Sequence, residues 1–120
     1  MSKEYKLELN SRPFTAIKAG TKKIEGRTPK NESDDRYVMM KPGDTIEFTN
    51  NETFERIICK VLFVNYYKDV RTMLEAEGVE NVLSSGLDIE GGIQSYNSLD
   101  GYEERIKKHG IFAIGVAVIK

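Results

Sequence analysis

Apolar residues recur along the chain in patterns that predict the strands of a sheet. Residues 5–10 and 45–49 alternate apolar with polar positions, which predicts two strands with one buried face each. The polar residues 50–52 then predict a hairpin turn. Residues 54–67 (FERIICKVLFVNYY) are apolar on both sides, and residues 111–119 (IFAIGVAVI) predict a buried strand. The faces expected for the longer strand are Ile57, Cys59, Val61 and Phe63 on one side, and Ile58, Leu62 and Val64 on the other.

Helical spacing between capping residues predicts the helices. The first begins at residues 10–11 and ends at Gly20, because glycine accepts the left-handed conformation common at helix ends. Asp69 is expected to cap a second helix, and Ser98 a last one. Residues 89–96 stay ambiguous, since two consecutive glycines weaken a helix.

A short charged strand follows Gly20. Its alternation places Glu25 and Arg27 on one face and Ile24 on the other. Lys22 precedes Glu25 by three residues, so strand alternation would place its side chain on the opposite face. It can therefore reach the same site only from the turn. The element order is then β-α-β, a hairpin, helices and a final strand, which argues for an α+β barrel and against a doubly wound parallel sheet.

The charged segment resembles the G-x-K-x-x-E-x-R motif of the ASCH family, here Gly20, Lys22, Glu25 and Arg27. Further segments occur in the family's order, namely the upstream RPF run, the turn at residues 42–44, LEAEG and the closing GIFAIGVAVI strand. The resemblance implies an α+β fold, a PUA-like small β-barrel of mixed strands with flanking helices. It also implies one ASCH domain over residues 1–120, with RNA or a small nucleotide-like ligand in a cleft lined by the motif.

Composition agrees with one globular domain. The chain has 120 residues, of which 39% are hydrophobic and 31% are charged, which argues against disorder. The longest apolar run is far shorter than a membrane span, and residues 1–10 lack the apolar core of a signal peptide. Cys59 is the single cysteine and forms no internal disulfide, so we expect a cytoplasmic protein without a membrane partner.

Charge is distributed unevenly although the net charge is −1. Residues 1–30 contain eight Lys or Arg and three Asp or Glu, whereas the remaining ninety contain ten and sixteen. A basic mouth on an acidic body suits a small anionic ligand or a short single strand better than a long duplex. Alternatively, the lysines merely keep an exposed face solvated.

The sequence lacks the residues that several kinds of metal, cofactor or catalytic site require. His109 and Cys59 are the only soft metal ligands, so we predict no zinc site and no cofactor. We assign His109 to a helix end and Cys59 to the core. The sequence has no Ser/His/Asp arrangement, no phosphate-binding P-loop and no G-x-G-x-x-G.

The motif residues allow two interpretations. In the functional one, Lys22 and Arg27 hold a phosphate or a base edge, and Glu25 orients Arg27 or accepts from an exocyclic amine. Arg12 adds a second basic group at the mouth, and Thr21 adds a hydroxyl. In the structural one, Glu25 and Arg27 form an ion pair at the barrel rim while Lys22 is solvated. Four tyrosines are the expected exposed rings for stacking on bases: Tyr66, Tyr67, Tyr96 and Tyr102.

The family resemblance also implies an enzymatic alternative. Some bacterial ASCH proteins are N(4)-acetylcytidine amidohydrolases that use a lysine, a threonine and a glutamate. Lys22 matches the lysine, Glu25 stands where the threonine is expected, and Glu75 or Glu77 matches the glutamate loosely. A catalytic lysine needs a lowered pKa, which Lys23 and Arg27 would favour and Glu25 would oppose. A protein-interaction module is a third alternative, and the sequence does not indicate an oligomeric state.

Overall fold

The computed structural model describes residues 2–120, so Met1 of the expected domain lies outside the described residues. The elements occur in this order: β1 (Glu4–Leu9), α1 (Ser11–Ala19), β2 (Ile24–Arg27), α2 (Arg36–Met39), β3 (Thr45–Asn50), β4 (Arg56–Tyr67), α3 (Val70–Glu77), α4 (Val79–Val82), α5 (Ile89–Asn97), α6 (Tyr102–His109) and β5 (Ile111–Val118). No helix within the described residues has both the length and the apolar character needed to cross a membrane.

The five strands form one mixed sheet in the order β1-β3-β4-β5-β2. β1 and β3 are parallel, and the other neighbouring pairs are antiparallel. The sheet curls into a half-barrel, in which Arg27 on one edge strand reaches the main chain of Glu8 on the other. This arrangement confirms the expected α+β fold of mixed strands with flanking helices.

Two hydrophobic cores lie on opposite faces of the sheet. The first fills the curl of the sheet and includes Phe14 and Ile17 of α1. The second lies under α3–α6 and includes Met73 and Leu74 of α3. β5 contributes alternate residues to both cores, Ile114 among them to the first and Ala113 to the second, and is therefore the buried central strand that its sequence predicts.

A β-bulge in β4 changes which side chains share a face. Val61 pairs with Val116, but the next pair is Phe63 with Gly115, so Leu62 is the extra residue. The expected grouping of Phe63 with Val61 is therefore wrong, because one inserted residue exchanges the two faces beyond it. Phe63 packs against the second core, and Leu62 is 49% exposed.

The glycine pair does not prevent a helix at α5. Asp88 caps it by accepting a hydrogen bond from the Gly91 backbone N–H at 2.8 Å. Gly92 allows close packing, since a Cβ there would lie 2.8 Å from a methyl carbon of Leu74 in α3. Ser98 ends this helix instead of capping α6, which follows Gly101 in the left-handed conformation. The expected cap at Ser98 is therefore wrong.

The end of α1 and the cap of α3 are as predicted, whereas Asn10 precedes α1 without a capping hydrogen bond from its side chain. α1 ends at Gly20, whose φ is +83°, in the left-handed region. Asp69 accepts a hydrogen bond from the Thr72 backbone N–H at 2.8 Å and so caps α3, which ends before Gly78. The end of α1 determines where the charged segment joins β2, and the cap of α3 determines where the helices after β4 begin.

Candidate ligand-binding cleft

A cleft of about 410 Å³ opens between the two edge strands of the half-barrel. Its walls come from the end of β1, the start of α1, β2, the loop after α4, and from α5 and α6. The motif residues Lys22, Glu25 and Arg27 line it.

Glu25 and Arg27 lie on one face of β2, as the alternation predicts. They pair with Ile114 and Phe112 of β5, both of which belong to the first core. The Nε of Arg27 donates to Oε2 of Glu25 at 2.6 Å, and Glu25 is only 7% exposed. The carboxylate is thus a buried acceptor held beside a guanidinium, a geometry in which charge-assisted hydrogen bonds are strong.

Arg27 also joins β2 to β1. Its Nη2 donates to the backbone carbonyl of Glu8 at 2.6 Å. That carbonyl faces the open edge because alternate residues of β1 bond to the β3 side, where Lys3 and Leu9 accept backbone hydrogen bonds. Burial acts to lower the pKa of Arg27, but the Glu25 carboxylate outweighs it and the pKa is raised. The guanidinium therefore stays charged.

Lys22 reaches the same site from the turn, with 5% of its surface exposed. Its Nζ lies 3.6 Å from Oε1 of Glu25 and donates to the carbonyls of Ile24, at 2.7 Å, and Val82. An ammonium has three donors, and these three contacts match them in number. Burial lowers the pKa of Lys22, and Glu25 opposes this only in part. A solvated Lys22, as the structural interpretation assumed, is therefore wrong.

Two tyrosines form an aromatic wall of the cleft. Tyr96 and Tyr102 stack with ring centroids 6.4 Å apart and an interplanar angle of 19°. Tyr96 is 7% exposed, so the expectation of an exposed ring is wrong for this residue, and burial raises its pKa. Its hydroxyl lies against β2, where a Cβ on Gly26 would be 2.4 Å away. Tyr66 is 58% exposed, whereas Tyr67 and Tyr102 are half-buried.

The other predicted site residues are divided between the cleft and other surfaces. Arg12 lines the cleft near its mouth. Thr21 is exposed on the turn, and its hydroxyl donates to the carbonyl of Ala16 at 3.2 Å. Glu75 is exposed on α3, and Glu77 lines a different groove, which borders Lys22 on another side. Glu77 accepts hydrogen bonds from the Tyr67 hydroxyl at 2.6 Å and from Asn65 at 2.8 Å.

The structure adds cleft residues that sequence reasoning missed. Gly26 lies between the two motif charges, and Ser84, Ser85 and Asp100 add polar groups from loops. Gly26 is the one that a sequence signal could have found, since glycine inside a strand often marks a close approach by another group. Among residues 2–120, no group of three or more His, Cys, Asp or Glu is arranged to hold a metal ion.

Comparisons with known proteins bear on the family and the fold of the chain. The family model described as ASCH domain matches residues 7–120, which confirms the resemblance seen in the sequence. The crystal structure of hypothetical protein PH0355 is similar to this one, with a TM-score of 0.81 and 38% sequence identity. The match covers 97% of this chain and 99% of that one. The solution structure of protein PF0455 from Pyrococcus furiosus is 36% identical, with a TM-score of 0.73, and the match covers 98% of each chain.

A more distant structure shares only the fold. The S128A mutant of ZmASCH from Zymomonas mobilis is 18% identical, with a TM-score of 0.63, over 98% of this chain and 72% of that one. The α+β architecture is therefore shared across low sequence identity. The comparison with curated proteins yields no match.

Proposed function

The chain belongs to the ASCH domain family, and from this premise we propose that it binds RNA or a nucleotide-like ligand in the cleft between its edge strands. The observation that carries the proposal is the Glu25–Arg27 pair, in which the carboxylate is buried and the guanidinium is partly exposed to an open cleft. Members of this PUA-like family are themselves proposed to bind RNA.

The pair offers a donor and an acceptor side by side. Arg27 uses Nε toward Glu25 and Nη2 toward the Glu8 carbonyl. A guanidinium has five N–H donors, so these two bonds leave Nη1 for a ligand. The carboxylate of Glu25 has acceptor capacity beyond its bond to Arg27. A nucleobase edge presents the matching acceptors and donors within one plane.

The size of the cleft agrees with a ligand of nucleotide size, and its lining offers cations that could contact a phosphate. A volume of about 410 Å³ falls in the range of small-molecule sites. On the floor, the buried Lys22 and the partly exposed Arg27 face the buried carboxylate of Glu25, and Glu8 and Asp100 add two more carboxylates to the lining. Arg12 at the mouth adds a further positive charge suited to a phosphate.

Titration of ribonucleoside monophosphates and of an eight-nucleotide single-stranded RNA tests the proposal. We expect saturable binding that weakens with added salt, and at least a tenfold loss in Arg27→Lys, which keeps the charge but not the planar fork. Lys23→Met serves as the matched control, because Lys23 is exposed and lies outside the cleft. Binding by neither probe, or equal affinity in Arg27→Lys, would overturn the proposal.

A deacetylase acting on N(4)-acetylcytidine is the second candidate, and one observation favours it. Burial lowers the pKa of Lys22, as a catalytic lysine requires. Against it, Lys22 already makes three contacts, and neither Glu75 nor Glu77 lines the cleft. A turnover assay on N(4)-acetylcytidine separates the two candidates, because only a deacetylase releases acetate. Lys22→Ala is the control and should release none if Lys22 is catalytic.

A further inference from the structure

Arg27 and Tyr66 belong to one row of side chains across the sheet. Arg27 of β2 pairs with Phe112 of β5, and Phe112 pairs with Tyr66 of β4. Directly opposed residues share a face, so all three project from the same side. Two strand spacings of about 4.8 Å place the main chains at Arg27 and Tyr66 roughly 10 Å apart.

The ring of Tyr66 is exposed but held in place. It is 58% exposed, and it contacts Phe112 edge to face with centroids 5.2 Å apart at 64°. It also covers Gly110, where a Cβ would lie 2.4 Å from the Tyr66 hydroxyl. A preorganised ring loses little conformational freedom when a ligand stacks on it, so more of the contact energy appears as affinity.

The surroundings of Tyr66 suit a nucleotide. The ring borders a pocket of about 400 Å³ that His109 and Asn31 also line, and Lys107 and Lys108 occupy the last turn of α6 beside His109. Two carboxylates line this pocket. Asp34 is neutralised by Arg36, whose Nε lies 2.8 Å away, and Glu32 remains as an exposed acceptor for a base amine.

We propose that Tyr66 forms a second subsite, on which one base of a single-stranded RNA stacks while another nucleotide of the same strand occupies the cleft. The inference rests on the proposed function, and it selects a strand over a free nucleotide as the ligand. Small barrels that bind single strands commonly combine a basic groove with aromatic stacking platforms and contact about 4 to 16 nucleotides. Tyr37 of α2 packs against Phe112, the middle residue of the row that links Arg27 to Tyr66.

Affinities of Tyr66 variants for two probes test the subsite. The probes are ribonucleoside monophosphates and the eight-nucleotide RNA. Tyr66→Ala loses the stacking contact with one base, so it should bind RNA about 5 to 150 times more weakly. Tyr66→Phe keeps the ring and should bind RNA like the unmodified protein. Monophosphate affinity should stay unchanged in both variants.

Controls separate this inference from the proposed function. Phe54→Ala removes another exposed aromatic ring, on the β3–β4 hairpin, and should leave both affinities unchanged. If the unmodified protein binds RNA and Tyr66→Ala binds it equally well, the subsite is wrong while the proposed function stands. Equal losses for both probes would show a general disturbance and would also overturn the subsite. If the unmodified protein binds neither probe, both proposals fail, and a protein partner over Val38, Met39 and Tyr66 becomes the explanation for this exposed surface.

Discussion

Arg27 donates a hydrogen bond to the main-chain carbonyl of Glu8 and so ties the two edge strands of the half-barrel together across the cleft. The same guanidinium holds the buried carboxylate of Glu25. One side chain therefore closes the barrel edge and forms the floor of the site, and a change at Arg27 affects stability as well as binding.

Arg27→Ala should lower the free energy of unfolding by about 3 kcal/mol, because it leaves Glu25 buried beside Lys22 alone. Urea denaturation measures the change. Arg12→Ala is the matched control, since Arg12 is exposed at the mouth, and it should change stability by no more than about 0.5 kcal/mol. Equal stabilities of the two variants would contradict a bridging role for Arg27.

Lys22→Met should destabilise the protein by about 2 kcal/mol or more. Methionine has a similar length but leaves the buried carbonyls of Ile24 and Val82 without their donor, at about 1–3 kcal/mol for each unsatisfied group. Thermal unfolding of this variant is compared with that of Lys23→Met, whose side chain is exposed. A Lys22→Met protein as stable as Lys23→Met would show that these contacts contribute nothing.

Gly26→Ala should cost about 1–3 kcal/mol, because the new methyl group would overlap the Tyr96 hydroxyl. Tyr96→Phe removes that oxygen, and the next ring atom lies 3.0 Å from the position that the new methyl carbon would take. The double variant should therefore lose less than the sum of the two single losses. A double-mutant cycle measured by urea denaturation gives this coupling, and strict additivity would argue against the close approach.

Alkaline pH should destabilise the protein partly through Tyr67. Burial, followed by the hydrogen bond to Glu77, raises the pKa of Tyr67 from 10.0 to about 12. Folding thus favours the protonated phenol, so this contribution is complete below about pH 10 and is lost as pH rises toward 12. Stability measured from pH 9 to 12 should fall less steeply in Tyr67→Phe. Identical slopes in the two proteins would exclude Tyr67 as a contributor.

The sequence by itself determined the features that depend on neighbours in the chain. Strand alternation predicted that Glu25 and Arg27 share a face of β2. The ability of glycine to adopt the left-handed conformation predicted the end of α1 at Gly20. The ordered motifs identified the family. The strand alternation and the helix end depend only on residues close together in the chain. They can therefore be predicted without knowing which distant segments come into contact.

Tertiary structure alone decided how the site is closed and what is buried in it. Lys22 bonds to Val82, sixty residues further along, and Arg27 bonds to Glu8, nineteen residues earlier. The β4 bulge reversed the face of Phe63, and close packing on Leu74 made a helix of a segment weakened by two glycines. Such contacts depend on the approach of distant segments, because burial and long-range pairing can outweigh local propensity once the chain is compact.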